Sequence, residues 1–252
     1  MALAFERYCG EIVLQAGLLA AVLDGADGRT PVPTCPGWTL RTVVRHVGVA
    51  HRWAETIVRT GASEPPPTVR HDAPDDLAGH AAWLLDGAGR LAETLRNAGP
   101  DRPVWTWAGP GASAYWARRM TFETVVHRAD AFLANGADFT VDAAVAADGI
   151  DELFDFLTLP FVLGDPRKKE LLGPGRTVHL HATDTEAEWL LDLTGKTITW
   201  RPDHAKAAVA VRAPVTDLFL TTYRRLPADN EAVQVLGDAA FYHFWYDRLT
   251  FG

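Results

Sequence analysis

Over roughly its first 155 residues the chain repeats apolar side chains at intervals of three and four, and beyond that the interval drops to two. The first spacing puts apolar groups on one face of a helix; the second puts them on one face of a strand. Phe5, Tyr8, Ile12, Ala16, Leu19 and Val22 form one such helical stripe, ended by the turn-rich GADGRTPVPTCPG. A second helix begins after Trp38 with Thr39 as its N-cap, and runs through Val43, Val44 and Val47 to the ASEPPP break. A third is predicted from about Pro74 to Arg96, a fourth from about Ala114 to Asn135, closed by Gly136, and a shorter fifth from Val141 to Leu157. The segment VWTWAGPGASAYW between the third and fourth is too aromatic for a passive linker.

Four long helices separated by Pro and Gly stops imply a four-helix bundle, an architecture that builds metal sites from inward side chains on facing helices. After LPFVLGDPRKKELLGPG come the alternating runs TVHLHAT, EWLLDL, TITWR and AVAVRA, then a helix DLFLTTYRRL, a strand VQVLGD and a last helix AAFYHFWYDRL. The expected division is a helical domain over residues 1–158 and a small α+β domain over 159–252. A net charge of -8 argues against nucleic acid and against an anionic membrane surface. No stretch approaches 18 consecutive apolar residues, and Glu6, Arg7 and Glu11 interrupt the N-terminus where a signal peptide needs an apolar run. With only Cys9 and Cys35 present, a disulfide framework is excluded and a reducing, cytoplasmic location is expected.

The chemistry concentrates in RRMTFETVVHRAD. Glu123 and His127 are one turn apart on the fourth helix and can share a cation, although a surface ion pair is an equally ordinary fate for such a spacing. His46, set among valines on the second helix, is the natural third ligand. A histidine in that setting, however, is more often a hydrogen-bonded core residue. Two imidazoles and a carboxylate suit zinc with one coordination position open, and would also fit ferrous iron. Asp130 is placed to accept the second ring proton of His127. His179 and His181 alternate on a strand and rank second as a metal pair, with solvent-facing histidines the commoner outcome. His51 lies too far round its helix to join His46 at one ion, and spacing offers no partner for His71, His80, His204 or His243. Cys35, in TCPGW, reads as a loop residue with a structural role.

The stretches TPVPTCPGWTLRTVVRHVGVAHRWAE, VWTWAGPGASAYWARRMTFETVVHRADAFLANG, TVHLHATDTEAEWLLDL and APVTDLFLTTYRRLPADNEAVQVLGD together resemble the mycothiol-dependent maleylpyruvate isomerase family, part of the DinB-like superfamily of metal-binding bundles. The resemblance implies a DinB-like four-helix bundle followed by a small α+β domain similar to sterol carrier proteins. It also implies zinc on His46, Glu123 and His127, and mycothiol as thiol cosubstrate. Arg225 matches the family's arginine in the second domain, while the glycine that usually precedes it is Arg224 here.

In such enzymes the thiol adds to a cis enedioic acid, the former double bond rotates, and elimination gives the trans isomer; a substrate with a leaving group would instead be S-alkylated. Arg118, Arg119 and Arg225 are candidates to hold a substrate carboxylate, and Trp105, Trp107 and Trp116 to wall the site or fill the end of the bundle. The same ligand set also suits two other classes: a zinc hydrolase using metal-bound water, and a non-catalytic metal-binding bundle whose site a fourth protein ligand closes. A monomer or homodimer acting on a small molecule is expected.

Overall fold

The computed structural model describes residues 2–67, 73, 74 and 77–249, so His71 and part of the predicted start of the third helix lie outside the described residues. The chain divides into two compact units, residues 3–139 and residues 140–252.

In the first unit, α1 (Phe5–Ala21), α2 (Leu40–Thr60), α3 (Leu77–Ala98) and α4 (Ser113–Ala134) form the expected bundle, α1 and α2 each packing on both α3 and α4. The α1 stripe of Tyr8, Ile12, Ala16 and Leu19 is buried as its spacing requires. Thr39 caps α2, its hydroxyl accepting from Thr42 N, and Leu40, Val43, Val44, Val47, Ile57 and Val58 form the inward face. At Gly48, α2 comes so close to α3 that a β-carbon would stand 2.1 Å from Cζ3 of Trp83. Between α3 and α4, β1 (Pro103–Thr106) pairs antiparallel with β2 (Gly109–Ala112), which accounts for the aromatic linker.

Helix α4 differs from the others because it is buried nearly all round, from Trp116 through Phe122 to Ala131. A helix enclosed on every side cannot turn its polar residues to water, so Thr121, Glu123, Thr124, His127 and Asp130 must find partners inside the bundle.

In the second unit, α5 (Ala143–Leu157) is followed by a 3-10 turn (Pro160–Gly164) and the single-turn α6 (Pro166–Lys169). The sheet strands are β3 (Thr177–Ala182), β4 (Glu188–Asp192), β5 (Thr199–Arg201), β6 (Val209–Ala213) and β7 (Gln234–Gly237), with α7 (Val215–Thr222) and α8 (Ala239–Tyr246) either side of β7 in sequence. Their order is β5-β4-β3-β6-β7, with only β3 and β6 parallel. Val178, Leu180 and Ala182 of β3 are buried along one face, and His179 and His181 alternate onto the other. The expectation of bundle helices up to residue 158 meets a different arrangement, because α5 packs with the sheet unit. Trp189 Nε1 donates to Asp151 Oδ1 at 2.6 Å, Trp200 Nε1 to Asp155 Oδ1 at 3.0 Å, and the Tyr223 hydroxyl to Gly149 O at 3.1 Å. These bonds place the boundary near residue 140 rather than 158. Among the described residues no helix is long and apolar enough to cross a membrane.

Candidate metal centre

Glu123 and His127 project from one face of α4 toward His46 on α2. His46 Nε2 lies 2.6 Å from Glu123 Oε1, and His127 Nε2 lies 3.5 Å from the same oxygen. The three ligand atoms fall within 4.8 Å of one another, so the two helices bring together the residues that spacing nominated. The exposed end of the cluster is His46, while His127 is buried.

Each side chain is held from behind. Asp130 Oδ2 accepts from His127 Nδ1 at 2.8 Å, so Nε2 is the nitrogen turned toward Glu123. The Asp130 carboxylate also accepts from Thr34 Oγ1 at 2.5 Å and from Cys35 Sγ at 3.3 Å, tying the loop before α2 to α4. Cys35 is therefore a site residue as well as a loop residue. Because it engages the carboxylate on the Nδ1 side of His127, it does not stand among the three converging atoms. Arg119 Nη2 lies 2.5 Å from Glu123 Oε2, one turn earlier on α4, so one carboxylate oxygen faces the imidazoles and the other a guanidinium.

Trp38, which sequence spacing did not single out, covers both rings: it stacks on His127 at 5.6 Å and tilts against His46 at 4.8 Å between centroids. The only sequence trace of this is its place just before the cap of α2.

Burial opposes ionisation of Glu123, but the Arg119 charge and hydrogen bonds from His127 and His46 outweigh it and hold the carboxyl well below its ordinary range. Burial also opposes a charged His127; its bonds to Asp130, Cys35 and Glu123 overcome this and raise it well above the usual imidazole value. Both directions describe an ionised Glu123 facing a positive charge on the His127 ring, a place that a bound cation would take over. The donor set, with nitrogen and oxygen atoms converging and His127 oriented from its far side, fits a zinc-type ion.

His51, five residues beyond His46 and so turned to another face of α2, stays out of the cluster as its spacing requires. It is fully buried, and its Nε2 meets Thr124 Oγ1 at 2.8 Å. Trp116 is fully buried and donates to Trp105 O at 2.8 Å, and Trp107 leans on it edge-on at 5.7 Å. The Arg119 guanidinium lies 5.9 Å from the Trp107 ring, which places Trp107 at the rim of the centre and Trp116 behind it. Arg225 belongs to the second unit, where its Nη1 donates to Tyr223 O at 2.7 Å. His80 is buried against Trp83, and His243 is exposed on α8 beside Tyr242.

Residues 11–132 match the mycothiol maleylpyruvate isomerase N-terminal domain, and residues 144–242 match that family's C-terminal domain. The chain belongs to the mycothiol maleylpyruvate isomerase family. Among solved structures, the mycothiol-dependent maleylpyruvate isomerase is 16% identical with a TM-score of 0.61, covering 92% of this chain and 93% of its own. A histidine-to-alanine mutant of a mycothiol-dependent maleylpyruvate isomerase is 14% identical with a TM-score of 0.59, covering 87% and 88%. At these identities the likeness is one of fold, and it extends through both units of this maleylpyruvate isomerase family member. Among curated proteins, none matches the chain.

Proposed function

We propose that this protein is a zinc-dependent enzyme that uses mycothiol on a small electrophilic substrate, either isomerising a maleylpyruvate-like cis acid or transferring the thiol sulfur to carbon. The observation that carries this reading is the convergence of His46 Nε2, Glu123 Oε1 and His127 Nε2, three protein ligands that leave a coordination position for an incoming thiol. A zinc ion held there supplies acidity, since a thiol beside such a charge loses its proton at neutral pH.

The chain's own residues have separable tasks. Arg119 keeps Glu123 ionised through its Oε2, and Asp130 fixes the tautomer of His127 by accepting from Nδ1. Trp38 shields both imidazoles, and Trp107 supplies an aromatic wall against which the thiol cosubstrate is bound, with the buried Trp116 backing it edge-on. Arg119, whose guanidinium already faces Glu123 Oε2, adds positive charge toward a substrate carboxylate. For an enedioic substrate, the sulfur–carbon bond forms as the alkene electron pair moves into the neighbouring carbonyl. Rotation about the former double bond follows, and return of the enolate electron pair re-forms the alkene as the sulfur–carbon bond breaks, giving the trans isomer and releasing the thiolate unchanged.

Metal analysis of the purified protein, followed by assays of maleylpyruvate turnover with and without mycothiol, tests this reading. Turnover that needs both zinc and thiol supports it, with thiol recovered for an isomerase and consumed for a transferase. Turnover without thiol, or full zinc occupancy in His127→Ala, rejects it.

A further inference from the structure

The sheet unit carries a second convergence of metal-binding groups, distinct from the bundle centre. His179 and His181 stand on one face of β3, and Glu188 begins β4 directly across from His181 in the antiparallel register. His204 arrives from the segment between β5 and β6. The three imidazoles meet one carboxylate: His179 Nε2 lies 3.0 Å from Glu188 Oε2, His204 Nδ1 lies 2.7 Å from that oxygen, and His181 Nδ1 lies 2.7 Å from Oε1. All four ligand atoms fall within 4.8 Å of one another.

We infer that His179, His181, Glu188 and His204 form a second zinc site, one that is structural and closed. Ring planes inclined by 59°, 72° and 89° show imidazoles approaching from different directions, as around a tetrahedral point, rather than stacked in a row. Ligands about 2.1 Å from a tetrahedral ion stand roughly 3.4 Å apart, so the three contacts to Glu188 need to open by about half an ångström while the imidazole nitrogens already lie within 4.8 Å of one another.

His179 is almost wholly buried, and cross-strand pairing fixes His181 against Glu188, so three of the four ligands are set by the sheet before any ion arrives. The fourth, His204, is 78% exposed on a connecting segment, which gives the ion a route in and lets its binding pin that segment to the sheet. Three nitrogens and one oxygen fill a zinc coordination sphere, leaving no position for substrate. The site therefore contributes stability to the second unit and not chemistry.

The test uses the full chain, stripped with a chelator and titrated with Zn2+ by calorimetry, with bound metal counted after dialysis. Wild type should hold one more equivalent of zinc per chain than His179→Ala/His204→Ala, whether or not the bundle centre is also filled, and zinc should raise the Tm of wild type more than that of the double variant. His204→Ala alone, at an exposed position where folding is preserved, should weaken this binding by about tenfold or more. Equal zinc content and equal affinity in wild type and His204→Ala would overturn the inference. That result would leave the bundle reading untouched, since that reading depends on different residues.

Discussion

Asp130 accepts a hydrogen bond from Nδ1 of His127 at 2.8 Å, one turn along the same helix, and so decides which nitrogen of that ring faces Glu123. Carboxylates behind ligating histidines fix the tautomer and raise the basicity of the ring, and their loss typically costs about 10–100-fold in metal affinity. Asp130→Asn should accordingly lower zinc affinity by that factor while leaving His46, Glu123 and His127 in place. Competition against a chromophoric chelator measures it, and an affinity within about threefold of wild type counts against the assigned role.

His51 should make the bundle acid-sensitive. Burial pushes its pKa down to about 3 from an ordinary 6.5, the nearby Glu123 charge opposing and Arg52 assisting. The unfolded chain therefore binds this proton more readily than the native one. The stability tied to the neutral ring is complete above pH 6.5 and is lost as the pH falls toward 3, at up to about 1.4 kcal/mol per pH unit. His51→Gln removes the titration, so its urea midpoint should fall less than that of wild type between pH 7 and pH 5; parallel slopes for the two proteins would refute the claim.

Gly48→Ala should destabilise the bundle by up to about 2 kcal/mol. Alanine favours the helix by about 1 kcal/mol, but its methyl would meet the Trp83 ring at 2.1 Å, and overpacking of this kind costs about 1–3 kcal/mol. Trp83 is itself stacked under the Arg52 guanidinium at 3.9 Å, so the ring has little freedom to withdraw. Urea denaturation decides the point, and a variant as stable as wild type would show that the ring does move.

Arg224 is the one non-glycine with positive φ among the described residues, at +61°, a conformation that favours glycine. An L-residue in that conformation costs roughly 1–2 kcal/mol, whereas the cation–π contact of Arg224 with Tyr246 at 5.2 Å returns about 0.5–1 kcal/mol. Arg224→Gly should therefore leave stability unchanged or raise it by up to about 1 kcal/mol. A drop of the Tm by several degrees would mean that the side chain's contacts outweigh the backbone strain.

Much of this was legible in the chain. Helix α2 announces itself through Thr39 and its valines, and His46 through its position among them, because a buried face at helical spacing is written in single residues. Glu123 and His127 were readable for the same reason. The partners of α5 were not, since an amphipathic helix states that it has a buried face and not what covers it. The β1–β2 hairpin escaped because GPGA carries no alternation of apolar side chains. Trp38 and His204 escaped because a loop residue's neighbours are set by tertiary packing; no periodicity ties residue 204 to a carboxylate on β4.

The hairpin gives the molecule an optical property of its own. Trp53, Trp105, Trp107 and Trp116 stand ring against ring, with centroids 5.3 Å to 6.0 Å apart and at fixed inclinations. Indoles held this way couple their electronic transitions, so the near-ultraviolet circular dichroism of the folded chain carries a built-in signal from this end of the bundle. With Arg119 poised over the outermost of the four, occupancy beside it becomes visible without a label.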